Sequence, residues 1–211
     1  MKRLLIVGAG GFGREVLSWA LDAQSMHGDW QIAGFLDANL QALDNFSSAP
    51  KILGDPLTYP LADDDLLVCA IGDPATKLRL CRALKERSGR FLTLIHPSAI
   101  IGQGCHIGEG GLLCPGAVIT TNVSLGDHVT LNVYATIGHD AVIGDGCTLS
   151  AHTDATGNTR LGEGVFLGSH ATIAPGVSVG DYAVVGAGGV VLRNVDAHTT
   201  VVGVPAKPLQ R

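Results

Sequence analysis

From Ile95 to Val191 every sixth residue is aliphatic in one unbroken register: Ile95, Ile101, Ile107, Leu113, Ile119, Leu125, Leu131, Ile137, Ile143, Leu149, Ala155, Leu161, Leu167, Ile173, Val179, Val185 and Val191. Ala155 is the short member. Two residues earlier the side chain is small or β-branched, as at Ala99, Cys105, Gly111, Ala117 and Val123, and the residue just after is most often glycine. A period of six fits neither a helix nor a plain strand. Each hexad, such as GQGCHI or GDHVTL, supplies a short strand with one inward aliphatic, then a turn. No hexad can bury that side chain alone, so the hexads must stack into a solenoid. Sandwiches and barrels, with their longer and more variable spacing, do not match this pattern.

Ahead of the repeats the chain reads as α/β. Residues 3–7 form a buried strand, a glycine-rich turn follows, and an amphipathic helix runs from about Arg14 to Gln24. A second strand, Gln31 to Leu36, ends at Asp37. Gly8, Gly10 and Gly13 thus make a G-x-G-x-x-G turn between strand and helix, with an acidic residue at the next strand end. Such glycines let backbone N–H groups of Gly10, Gly11 and Phe12 approach a phosphate, while the Asp37 carboxylate can accept from a ribose hydroxyl. A third strand, Leu66 to Ile71, leads to Gly72 and Asp73, a helix of about Ala75 to Arg87 and a short strand from Phe91 to Leu94. A second mononucleotide half is missing, so this half-Rossmann unit suits one nucleotide. Residues 38–64 carry weak periodicity and read as loop. The expected organisation is a nucleotide-binding domain at 1–94 and an all-β solenoid with a tail at 95–211.

The 211 residues are 46% hydrophobic and 16% charged, a balance that suits a packed, ordered protein. A net charge of −5 gives no footprint for nucleic acid, and Arg160 is the only Lys or Arg between Ile95 and Val191. Five cysteines without a C-x-x-C pair read as reduced packing residues, hence a cytoplasmic protein. Gly8 to Gly13 interrupts the apolar start, and no run approaches the roughly 20 apolar residues of a membrane span. Neither membrane nor nucleic acid is an expected partner.

The repeat frame sorts the histidines. His128, His152 and His170 lie three residues after a core aliphatic, whereas His139 lies two after Ile137 and precedes Asp140. Eighteen residues on, Gly157 removes side-chain bulk next to His139, and the core position there is the weak Ala155. Local failure of a strict pattern is where a site is expected. A neutral imidazole can act as general base, and Gly157 leaves room for a thioester. Asp140 can orient His139 only if a coil corner separates them, because successive strand residues face opposite ways.

The hexad pattern resembles the left-handed parallel β-helix of hexapeptide-repeat acyltransferases, in which three hexads make one triangular coil. The whole chain resembles the sialic acid O-acetyltransferase and bacterial nucleotide-amino-sugar N-acetyltransferase group. The matching features are the glycine-rich start, Asp37, Ala70-Ile71-Gly72-Asp73, His96-Pro97-Ser98-Ala99, Asn132, His139-Asp140 and the Gly-Val-Pro-Ala-Lys tail. The resemblance implies that His139 is the general base and that Asp140 raises its basicity. It implies that a nucleotide-linked sugar lies against Gly10, Gly11, Phe12, Asp37, Gly72, Asp73 and Asn132. It also implies that acetyl-CoA lies near Gly157, Ser169 and Ala187. Some members carry a coenzyme-contacting histidine at the position of Thr148, for which His152 could substitute, and several have a histidine where this chain has Phe12.

The expected activity is acetyl-CoA-dependent N-acetylation of a nucleotide-linked amino sugar for surface glycans, with no metal. Sugar O-acetylation is the alternative, ahead of a γ-type carbonic anhydrase or a non-catalytic nucleotide-sugar-binding module. By elimination the coenzyme's phosphates fall to Arg160, Arg193, Lys207 or Arg211, with Arg193 and Lys207 favoured by their closeness to the tail. The resemblance also implies a homotrimer with active sites between subunits.

Overall fold

A computed structural model describes residues 1–47 and 49–209, so Arg211 lies outside the described residues, as does the side chain of His27. The first element, β1 (Lys2–Val7), leads through the glycine turn into α1 (Gly11–His27), which starts three residues earlier and ends three later than its periodicity predicts. Then come β2 (Trp30–Leu36), β3 (Ile52–Gly54), β4 (Asp65–Cys69) and α2 (Pro74–Glu86). The strands form one parallel sheet in the order β3-β2-β1-β4. The region 38–64, expected to be loop with little regular structure, contains β3, a three-residue, half-exposed edge strand too short to show a period. From Phe91 to Leu94 no full strand forms. Phe91 makes a single bridge to Leu67, and Leu94 pairs inside the solenoid.

α1 covers one sheet face, where Leu4, Ile6, Val68 and Ala70 pack with Val16 and Ala20. α2 covers the other, where Leu5, Val7, Leu67 and Cys69 meet Cys81 and Leu84.

The repeats fold into a parallel-strand β-solenoid. Its two-residue strands build three sheets, and between Leu94 and Val191 paired residues are eighteen positions apart, as Leu131 and Leu149 or Ile137 and Ala155, whereas the last coil steps by sixteen. The first face runs from Leu94–Ile95 to Thr200–Val202, the second from Ile100–Ile101 to Val190–Val191, and the third from His106–Ile107 to Ser178–Val179. From Leu113 to Val191 the sixth-residue aliphatics form one continuous core, including fully buried Ala155. Each buried Leu, Ile or Val of this core contributes roughly 1.5–3 kcal/mol. The first coil departs from the expectation: Ile95 and Ile101 are 38% and 39% exposed, because no coil stacks on their outer side. At the other end the tail adds Thr200–Val202 to the first face and folds back as the antiparallel Lys207–Pro208.

The corners explain why the residue three places after the aliphatic is so often Asn, Asp, His or Gly. Asn122, Asp140 and Asn158 stack at the second–third corner, and Tyr134, His152 and His170 at the first–second corner, all with φ between 56° and 60°. Asn, Asp and His tolerate this left-handed region better than most residues.

The α/β part sits on the first face. The outward residues Leu94 and Leu112 join the α1-side core, and Lys77 of α2 reaches the next two, Thr130 and Thr148. Its ammonium donates to Thr130 Oγ1 (3.0 Å), Thr148 Oγ1 (2.9 Å) and the Cys147 carbonyl (3.2 Å), three acceptors for three protons. Lys77 is only 1% exposed and has no carboxylate partner among the described residues. Burial pushes its pKa down to about 8. An unfolded lysine holds its proton to about 10.5, so the unfolded chain binds more protons between those values and stability rises with pH across that window. Lys77→Met should remove this rise. In urea denaturation at pH 7.5 to 10, wild type should gain up to about 3 kcal/mol relative to the variant.

Candidate active site

His139 follows the second-face strand Thr136–Ile137, and Asp140 takes the left-handed corner (φ 60°), so the corner that their pairing requires lies at Asp140. The backbone turns the carboxylate back toward the ring, and His139 Nδ1 lies 2.7 Å from Asp140 Oδ2. With Nδ1–H donating to the carboxylate, the lone pair sits on Nε2. That nitrogen is aimed along the corner: a Cβ at Gly157 would come within 2.6 Å of it. Only glycine lets the imidazole lie over the next coil. The Gly157 N–H finds no protein acceptor among the described residues and is available to a ligand. The pair is open, with side chains 60% and 49% exposed.

The other residues expected to meet the coenzyme divide between two corners. Gly157 and Arg193 stand one and three coils above His139 at the second–third corner, and Arg193 shares a cleft of about 300 Å³ with Lys207, Pro205 and Ala206. Ser169 and Ala187 stack one coil apart at the first–second corner, beside His170 and Gly188. The second face separates the two groups. Arg160 is an exposed, outward residue of the third face. His152 and Thr148 lie in different places: the His152 ring stacks between Tyr134 (5.3 Å) and His170 (4.8 Å) at the first–second corner, whereas Thr148 is buried against Lys77.

On the α/β part the three glycines have distinct jobs. Gly8 turns the chain with φ 102°, Gly10 has open space where a side chain would be, and a Cβ at Gly13 would collide with the Gly8 carbonyl. Strand end and helix start therefore touch, leaving the α1 N-terminus bare for an anion, with Arg14 close by. Asp37 fastens this loop: Oδ2 accepts from Ala9 N (2.7 Å) and Oδ1 from Asn39 N (2.8 Å). It also lines a cleft of about 360 Å³ at the carboxyl ends of β1 and β2, walled by α2. Thr76, Arg79 and Asp55 line the same cleft and were missed from sequence; their signal was the (i, i+3) spacing of Thr76 and Arg79 on one helix face.

Gly72 and Asp73 do not share that cleft. They line a separate one of about 670 Å³ with Phe166 and Tyr182, and Asp73 caps α2 by accepting from Thr76 N (2.9 Å); the Thr76 hydroxyl and then its N–H hold the Asp73 pKa below the usual carboxylate value. Phe12 packs edge-on to Trp19 at 6.0 Å, and it and Val133, next to Asn132, lean on the same hydrophobic cluster. Among the described residues no three His, Cys, Asp or Glu side chains converge as a metal site needs, and no helix is long and apolar enough to cross a membrane.

Comparison with known proteins follows the same division. Residues 3–84 match the PglD N-terminal domain and residues 158–193 the bacterial transferase hexapeptide (six repeats). PerB from Caulobacter crescentus, solved with CoA and GDP-perosamine, is 31% identical over 100% of this chain and 98% of its own, with a TM-score of 0.89. The chain belongs to the hexapeptide-repeat nucleotide-amino-sugar N-acetyltransferases. Within this family the acetyltransferase domain of PglB from Neisseria gonorrhoeae, in complex with acetyl coenzyme A, is 28% identical, covers 99% of both chains and has a TM-score of 0.86. UDP-N-acetylbacillosamine N-acetyltransferase of Bacillus subtilis is 32% identical over 117 residues, 54% of this chain. That match spans about half of the curated relative's length, 51%.

Asp37→Ala leaves the Ala9 N–H without its acceptor. Amide exchange at Ala9 should speed up markedly while exchange in β1 stays slow, measured by hydrogen–deuterium exchange. Equal exchange in both proteins would show that the carboxylate does not fasten the loop.

Proposed function

We propose that this protein transfers the acetyl group of acetyl-CoA to the amine of a nucleotide-linked amino sugar used in surface glycan synthesis, in the cytoplasm. The observation that carries the proposal is the His139–Asp140 pair held over Gly157, in a chain matched end to end by a relative solved with CoA and a nucleotide-linked sugar. The amine nitrogen attacks the thioester carbonyl as His139 Nε2 takes its proton, and the Asp140 carboxylate steadies the resulting imidazolium. The Gly157 N–H supports the developing oxyanion. Collapse expels the coenzyme's sulfur, which receives the proton back from Nε2. Relatives named N-acetyltransferases favour amine over hydroxyl as acceptor.

Several copies complete the site. The α/β part occupies the first face, and His139 projects from the corner opposite it, so one chain holds its sugar-nucleotide loop and its base on different sides. Three copies meeting around their second faces would set His139, Gly157 and Arg193 of one against Asn132, Ser169 and Ala187 of the next. A heterologous contact of this kind closes into a ring. The coenzyme would then run up the corner from His139 to the Arg193–Lys207 cleft, where the two cations meet its phosphates.

His139→Ala and Gly157→Ala should both keep their melting temperatures yet lose turnover by ~10²–10⁴, the first by deleting the base and the second by displacing its ring. Thiol release from acetyl-CoA with an amino-sugar nucleotide measures this; turnover within a few fold of wild type in both would sink the general-base role. Mixing inactive His139→Ala with a nucleotide-binding variant such as Asp37→Ala should restore part of the activity in re-formed trimers. A fully active monomer in sedimentation would contradict the shared site.

A further inference from the structure

The relatives leave the base open, since one name carries UDP and another relative was solved with a GDP sugar. The lining of the cleft beneath α2 bears on the choice. Leu36, Pro56 and Leu80 give it apolar walls suited to a flat ring. Of its two carboxylates, Asp37 has both oxygens engaged by backbone N–H groups. Asp55 uses only Oδ1, which accepts from Leu57 N at 2.7 Å, and its Oδ2 has no partner among the described residues. Arg79, also in the cleft, makes no hydrogen bond or ion pair among them, with Asp55 or with any other group. An unpaired carboxylate and an unpaired guanidinium in one apolar slot suit a ring that offers hydrogen-bond donors to one and acceptors to the other.

Guanine fits this pair best among the common bases. Its N1–H and N2–H are adjacent donors that one carboxylate can accept together, and its O6 and N7 are adjacent acceptors that arginine meets bidentately. Uracil sets its single N3–H between two carbonyl oxygens that a carboxylate repels, and adenine and cytosine each place one amino donor beside an acceptor nitrogen. We infer that the cleft selects guanine nucleotides, with Asp55 reading N1–H and N2–H and Arg79 reading O6 and N7. The inference rests on the proposed function, in which this cleft holds the nucleotide.

Calorimetric titration of the full chain with GDP, UDP, ADP, CDP and IDP tests it. GDP should bind at least about tenfold more tightly than UDP, and IDP, which lacks the N2 amino group, about tenfold more weakly than GDP. Asp55→Asn keeps an oxygen for Leu57 N–H, so the turn survives, and it should bring the GDP-to-IDP ratio close to one. Arg79→Ala, on an exposed helix position, should weaken GDP and IDP equally because both retain O6 and N7. UDP binding as tightly as GDP, or a GDP-to-IDP ratio unchanged in Asp55→Asn, overturns the assignment. If none of the five binds, the nucleotide reading of the cleft falls, and the base assignment falls with it.

Discussion

An aliphatic side chain pointing into a three-sided coil stays bare above and below until further coils cover it. The register of the whole solenoid is subordinate to that condition. Burial requires residue n to sit under residue n + 18, as the Leu131–Leu149 pairing shows, and this register aligns the outward residues and the corners as well. His139 meets Gly157, Lys77 meets Thr130 and Thr148 together, and Arg193 meets the tail because the core permits no slippage.

The Lys77 contact is the least expected consequence. A buried ammonium without a counter-ion is costly unless all its protons are taken up. Here two threonine hydroxyls and a carbonyl take them, and the outward column supplies both hydroxyls at the spacing of neighbouring strands. The surrounding ion pairs, Arg82–Glu163 and Lys85–Glu109, are half-exposed and contribute little each. Helix α2 also carries Arg79 on its cleft face, so the contact that seats the helix on the solenoid sets one wall of the proposed nucleotide site.

The solenoid was legible because its signal is repeated coil after coil, and the placement of His139 beside Gly157 followed from the eighteen-residue frame. The corner at Asp140 could have been read too: it holds the same place in its hexad as Asn122, Asn158, His128, His152 and His170, residue types that tolerate left-handed backbone. Less could be read where a rule depends on an absent neighbour. Ile95 and Ile101 obey the pattern but lie at the end of the stack, and β3 is too short for periodicity to show. Lys77 was hidden because it sits among Pro74, Leu78, Cys81 and Leu84 on the apolar face of its helix, where its partners come from residues more than fifty positions away. That Asp73 caps α2 and lines a different cleft from Asp37 could not be read from spacing, because both strand ends carry an acidic residue.

Stacking also turns the coil into a unit of length. Along the corner that begins at His139, the Arg193–Lys207 cleft stands three coils away, and each coil adds about 4.8 Å. Inserting or deleting a whole coil between them would change that separation in discrete steps without rotating any side chain to a new face. The solenoid therefore acts as a graduated ruler, on which the spacing between His139 and the Arg193–Lys207 cleft can be set by counting repeats.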